Sequence, residues 1–366
     1  MAEARICYRI NLAQLKENIA FIRSCAGNCK LMPVLKYDAY GMGAMGIGSA
    51  LKEAGAYRFA VATGEEAAQV KPLGLDVQIL GGLFPWEIPA AVENDIICPV
   101  NCFAVAQDIS KEAVRQGKTT RIAIKLDTGM GRLGMKTDTA AEEISKIAGL
   151  PGLHFDSLFS HFATAAQPDI FFANLQIERF LTVKKALDAK GIIFDHYHHG
   201  AGDAAVKIPA ATQEPFDIVR PGGMMYGENF QNDCRQIVEL TTKITSVREI
   251  TPGTSVSYYR TYIANKPRKV AVLAAGYADG IPLALSNKGR VIIHGQYCPI
   301  LGRVCMDYTM VDVSALPEVF PGEEAILLGR QNDAEVTVSE WAAMKGTHGH
   351  DIWCAIGHRV KREYIR

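Results

Sequence analysis

The sequence predicts an α/β chain in which a (β/α)8 TIM barrel is followed by an all-β C-terminal domain. Three observations carry this. Eight short apolar runs recur along the first part, with helix-like segments between most of them. After about Gly227 the texture changes to β-branched runs broken by Gly, Pro and Asn. A chain of 366 residues is long enough for both parts. A doubly wound sheet would use fewer strands. Residues 1–232 are therefore assigned to the barrel and 233–366 to the β domain.

The elements follow in order. From Asn11, "NLAQLKENIAFIRSCAG" reads as a helix: Asn11 caps it, Gln14 stands at the capping-box position, and Leu12, Leu15, Ile19 and Ile22 form an apolar stripe. Strand candidates lie near 31–36, 58–62, 77–81, 97–100, 121–126, 155–161, 194–199 and 217–220. Pro33 counts slightly against the first, because it brings no N–H to a ladder. Segments such as "AAEEISKIAGL" and "FFANLQIERFLTVKKALDAKG" supply the intervening helices. Beyond Gly227, "IVELTTKITSVREI", "SVSYYRTYI", "KVAVLAAGY", "GRVIIHGQYCPILGRVC" and "YTMVDVS" read as strands, and helical period returns only at "VSEWAAMKG".

Lys plus Arg equals Asp plus Glu at 39 each, so neither a nucleic-acid nor an anionic membrane partner is expected. The nine cysteines are scattered and contain no C-x-x-C, as for reduced thiols in the cytoplasm. The opening "MAEARICYRINLAQLKEN" lacks a basic segment followed by an apolar core, so no signal peptide is expected. Gly41-Met42-Gly43-Ala44-Met45-Gly46 fits G-x-G-x-x-G. A dinucleotide turn, however, puts its first glycine at the strand exit, and here Tyr37 to Tyr40 intervene after Lys36. These glycines are read as loop and helix packing.

In such barrels, reactive side chains stand where strands end. Strand one ends in Lys36. Strand five carries Lys125 and Asp127, with Arg132 in the glycine-rich loop after it. Strand six ends at His161, strand seven in "HYHHGAGD", and strand eight at Arg220-Pro221-Gly222-Gly223. Any one of these could be a snorkelling or ion-paired residue, Lys125 with Asp127 for example. Several together point to chemistry. A lysine at an apolar strand end loses charge by desolvation and can form an imine. The Gly222-Gly223 amides match the usual phosphate site after strands seven and eight. Lysine and phosphate cup together suggest pyridoxal 5'-phosphate.

The blocks "VLKYDAYGMG", "IKLDTGMGRLGM", "SHFATA", "DIVRPGGMMYG", "SVSYYRTY", "GYADG", "ILGRVCMDYTMVDVS" and "GTHGHDIWCAIGHRVKREY" together resemble the alanine racemases. These are fold-type III pyridoxal-phosphate enzymes with an N-terminal barrel and a C-terminal β domain. The resemblance implies that Lys36 is the cofactor lysine and one catalytic base, and that Tyr258 is the opposing base. It makes Tyr40, Gly222 and Gly223 phosphate ligands, His161 the ring neighbour, and Arg220 the partner of the pyridine nitrogen. Arg132 would hold the substrate carboxylate, Lys125 would be open to carbamylation, and Tyr277 and Met306 would line the pocket. It also implies an obligate homodimer with shared active sites, acting on a small amino acid.

Four departures from the family pattern stand out. Gly202-Asp203-Ala204 replaces Asn-Ser-Ala, and His350 replaces a phosphate-binding tyrosine. Met42 replaces a histidine, and Tyr259-Arg260 replaces a small pair. Asp203 and His350 are thus expected beside one phosphate, with a protonated His350 offsetting Asp203. Alternatively, Asp203 turns to solvent. Alanine is the expected substrate, with serine or a broader or basic amino acid as the alternative. Two other classes remain open. His196-Tyr197-His198 with Lys125 could mark a metal-dependent hydrolase, although such barrels carry that motif on the first strand. A fold-type III decarboxylase would use a cysteine where "VSY" supplies a tyrosine.

Overall fold

The computed structural model describes residues 4–228 and 234–366. The first part is a ring of eight parallel strands: β1 (Lys30–Leu31), β2 (Phe59–Val61), β3 (Val77–Ile79), β4 (Cys98–Val100), β5 (Thr120–Asp127), β6 (Leu153–Phe159), β7 (His196–His198) and β8 (Ile218–Val219). Ladders join β8 to β1, β2 to β3, and β4 through β7 in sequence. Single bridges at Val34–Ala60, Gln78–Ile97 and Ala201–Arg220 close the three gaps. Every apolar run seen in the sequence becomes a strand. Pro33 cuts the first one short. It has no N–H to donate, but its carbonyl still accepts from Ala60 at 2.9 Å.

The helix Leu12–Cys25 forms as expected, with Asn11 accepting from the Gln14 amide at 2.9 Å and the predicted apolar stripe buried. Only half of the capping box closes, because the Gln14 side chain turns to Asn18 and the Asn11 amide goes to Ile237.

The sequence marks no strand before that helix, yet Ile6–Asn11 is one. It pairs antiparallel with Val238–Ile250 and parallel with Lys361–Ile365, both in the C-terminal part. Val238–Ile250 also pairs with Arg268–Leu273 and Glu324–Gln331, making it the centre of the β domain. The chain therefore starts in the second domain's sheet before entering the barrel, and one apolar core runs through both. The boundary at 232/233 lies outside the described residues.

The glycines after Lys36 serve packing. A Cβ at Gly43 or Gly46 would come within 2.0 or 2.3 Å of the Tyr364 side chain, so these two glycines form the notch that seats the last strand. Among the described residues, no helix is long and apolar enough to cross a membrane.

Candidate active site

Lys36 leaves β1 into an unusual turn. Tyr37, Asp38, Ala39 and Tyr40 have φ of 52°, 50°, 53° and 57°, one full left-handed turn without a glycine. Such a conformation costs roughly 1–2 kcal/mol per residue, so it persists only where neighbours enforce it. Glu66 accepts the Tyr37 amide at 2.6 Å and the Ala62 amide at 2.7 Å. Asp38 accepts the Ala44 amide at 2.7 Å and the Gln69 side chain at 3.1 Å. The turn brings Tyr40 back under its own lysine, with Lys36 Nζ 5.6 Å from the Tyr40 ring centroid.

Cations gather at this mouth. The Lys36 ammonium is pushed below its ordinary value by burial of its surroundings and by repulsion from Arg132. Lys125, at the end of β5, is 4% exposed. Burial, then Arg132 and Arg220, lower it to about 8. The ion pair of Lys125 with Asp127 does not form. Asp127 instead accepts the Gly129 and Gly131 amides at 3.0 Å each, shaping the loop that displays Arg132. Lys125 is left with one long bond to the Leu80 carbonyl at 3.4 Å.

Arg220, 3% exposed, sits at the end of β8, and among the described residues its guanidinium has no carboxylate partner. Its guanidinium donates to the Ser160 and His199 carbonyls at 2.7 Å each, to His198 Nδ1, and to His161 Nδ1 at 3.3 Å. Arginine only donates, so both histidines must accept through Nδ1 and carry their proton on Nε2. Burial and then Arg220 lower the His161 pKa well below its ordinary value, which keeps that ring neutral. His198 Nε2 faces the Gln78 amide at 3.3 Å, and Gln78 Oε1, otherwise unpartnered, can accept its proton when the amide is turned over. The H-x-H of β7 does not converge on one point. His196 bonds Asp217 at 2.6 Å and Tyr57 at 3.0 Å, while His199 stacks on Phe162.

Next to Arg220, the backbone forms a cradle. A Cβ at Gly222 would lie 2.9 Å from the Tyr40 hydroxyl, and one at Gly223 would lie 2.6 Å from His350 Nε2. Asp203 is half-buried rather than turned out, and its carboxylate accepts the Ala204 amide at 3.0 Å. Burial pushes its carboxyl upward. His350 does not pair with Asp203. Its Nδ1 lies 2.9 Å from Glu228, a residue that the sequence did not single out. The available signal was a carboxylate immediately after the phosphate-type stretch "GGMMYG".

Tyr258, Tyr277 and Met306 occupy a separate exposed patch on the β domain. Tyr277 donates its amide to the Cys305 carbonyl and Ala278 donates to Met306, which knits the loops at 277 and 306 together. Ser257, beside Tyr258, bonds the Arg303 carbonyl of the same patch. Tyr258 is 64% exposed, and no hydrogen bond joins it to the barrel mouth among the described residues. The predicted residues thus fall into two separate groups: Lys36, Tyr40, Lys125, Arg132, His161, Asp203, Arg220, Gly222, Gly223 and His350 in the barrel part, and these three on the β domain.

Residues 10–230 match the family model described as alanine racemase, N-terminal domain, and residues 237–364 match that of the C-terminal domain. Alanine racemase 2 of Caldanaerobacter subterraneus subsp. tengcongensis is 37% identical to the chain, covering 97% of it and 94% of the relative. The solved alanine racemase of Clostridium difficile 630 aligns with a TM-score of 0.94 at 27% identity, over 100% of this chain and 97% of that one. The alanine racemase from Bartonella henselae, solved with covalently bound pyridoxal phosphate, aligns at 0.89 and 25% identity, over 99% and 100%.

Proposed function

The chain belongs to the alanine racemase family of pyridoxal-phosphate enzymes, and we propose that it interconverts L- and D-alanine at a site shared by two copies of itself. One observation carries the proposal. Lys36, Lys125, Arg132 and Arg220 face one barrel mouth closely enough to perturb one another, beside a glycine cradle. That donor set suits a molecule bearing both a phosphate and a carboxylate.

The residues present fit the cofactor. Lys36 would hold it covalently, Tyr40, Asp203, Gly222, Gly223 and His350 would surround its phosphate, and Arg220 would face its ring nitrogen beside His161. Bound there, pyridoxal phosphate supplies an electron sink for the amino acid's α-carbon. Arg132 holds the substrate carboxylate. Lys36, with its pKa lowered, is more often the free base and takes the α-proton on one face. On the other face, the partner subunit's Tyr258 does so. The His161 Nε2–H, not used in the Arg220 contact, would be the donor that steadies the phenolate. Arg220 has only donors and keeps the facing nitrogen unprotonated, which weakens the sink and leans the reaction on the two bases. Tyr277 and Met306 border the substrate, and Lys125, neutral above about pH 8, is the amine open to carbamylation.

On this reading the division at 232/233 separates a cofactor barrel from a β domain that serves the partner. The working unit is a homodimer, and nine scattered cysteines with no C-x-x-C suit the cytoplasm. The test is D-enantiomer formation from each of the chiral standard L-amino acids, resolved by chiral chromatography. Alanine should be converted fastest. Faster conversion of serine or a basic amino acid would overturn the substrate, and no conversion by cofactor-loaded protein would overturn the activity.

A further inference from the structure

The Glu228–His350 pair stands at the glycine cradle. His350 Nδ1 lies 2.9 Å from a Glu228 carboxylate oxygen. A carboxylate only accepts, so Nδ1 carries a proton and the ring orientation is set. The opposite nitrogen, Nε2, then faces Gly223, where an added Cβ would come within 2.6 Å. Tyr40, His348 and Trp353 hold the ring at centroid distances of 5.1, 5.3 and 5.7 Å. Tyr40 itself reaches the neighbouring glycine, its hydroxyl 2.9 Å from a Cβ built at Gly222. A hydroxyl and an imidazole nitrogen therefore converge on two consecutive glycines at the start of a tight helical turn, Gly223–Tyr226, and the Glu228 oxygen that pairs with Nδ1 faces the same glycine, 2.4 Å from a Cβ built there.

We propose that Glu228 acts through His350 to position the cofactor's phosphate: the carboxylate holds Nδ1–H and so presents Nε2–H to the phosphate beside Gly223. The inference rests on the cofactor reading above. With Nδ1–H committed to Glu228, donation from Nε2 requires the imidazolium, a cation between two anions. That arrangement resolves a conflict of charge, because two carboxylates, Asp203 and Glu228, stand close enough to repel one another near a dianion site. His350 neutralises one of them. Burial raises the carboxyl of the other, and the Ala204 amide that it accepts partly offsets its charge. His348 completes a group with Glu228 and His350 whose ligand atoms lie within 4.8 Å, a spacing that a divalent cation could also use.

The experiment measures the binding of pyridoxal phosphate and of phosphate-free pyridoxal to apo full-length protein by fluorescence titration. The ratio of the two affinities isolates the phosphate contribution. Glu228→Gln and His350→Ala should each lower that ratio about tenfold to a hundredfold, the range of a charge-assisted hydrogen bond. The double variant should bind no worse than His350→Ala, because without that ring Glu228 presents no donor and adds only its own charge beside the phosphate. His350→Tyr supplies a hydroxyl that needs no carboxylate behind it, and should restore the ratio in the Glu228→Gln background. An unchanged ratio in Glu228→Gln would overturn the inference alone. Wild-type protein that binds neither compound would overturn the cofactor reading with it. Loss of wild-type affinity to a chelator, restored by zinc, would make the cluster a metal site and the proposal wrong.

Discussion

Replacing Lys125 with methionine should stabilise the protein at neutral pH while damaging its site. Lys125 is 4% exposed, its one hydrogen bond is 3.4 Å long, and Arg132 and Arg220 repel it. Its pKa falls from 10.5 to about 8. That gap corresponds to roughly 3 kcal/mol of preference for the neutral form. Below about pH 8 the lysine is protonated in both folded and unfolded chains, and the full penalty opposes folding. Between about 8 and 10.5 the folded lysine is neutral while the unfolded one keeps its proton. The unfolded state then binds more protons, so stability rises with pH through this window. Urea unfolding at fixed protein concentration, in carbon-dioxide-free buffer at pH 7 and pH 10, should show the advantage of Lys125→Met shrinking by about 3 kcal/mol at the higher pH. Added bicarbonate should stabilise the unsubstituted protein and leave the variant unmoved, because only a neutral amine can be carbamylated. An advantage equal at both pH values would refute the burial argument.

Borohydride reduction of the loaded enzyme followed by peptide mapping should place the pyridoxyl group on Lys36, and label on another lysine would disprove the assignment. Tyr258→Phe should slow α-proton exchange from one alanine enantiomer far more than from the other, whereas a mild symmetric loss would point to a different base. Glu66→Gln should cost about 1–3 kcal/mol of stability by loosening two amides that brace the left-handed turn. A melting temperature unchanged by that substitution would show the turn is held otherwise. Asp203→Ser and His350→Tyr should couple only through Glu228, which repels Asp203 and pairs with His350, so in a Glu228→Gln background the two should act additively on cofactor affinity. A coupling well above about 0.5 kcal/mol in that background would show that they share another network.

Much of the site was legible because barrel chemistry is local to strand ends. Lys36 and Arg220 are each the polar terminus of an apolar run and Lys125 stands near the end of one, and such a run needs no partner to be recognised. Glu228 was not legible. Its role depends on a histidine 122 positions away (350 − 228), brought to it by the helix Gly349–Cys354. Asp127 shows the converse. Two residues from Lys125 on one strand, it was a natural ion-pair partner in the sequence, yet it is claimed by the amides of its own loop.

By itself the sequence determined the alternation of strands and helices, the change to β texture after Gly227, and the residue types available at each strand end. These follow from apolar periodicity and turn chemistry, which act over a few residues. Only the tertiary structure decided what closes over long separations. Ile6–Asn11 is a short run of "ICYRIN" that gains its identity from strands at 238–250 and 361–365. The left-handed turn at Tyr37–Tyr40 contains no glycine, so nothing local favours it, and it exists because Glu66, Asp38 and Gln69 together offset its cost. The charge state of the mouth is likewise a tertiary property, since Lys36 and Lys125 are ordinary lysines until burial and Arg132, joined by Arg220 at Lys125, disfavour their ammonium forms.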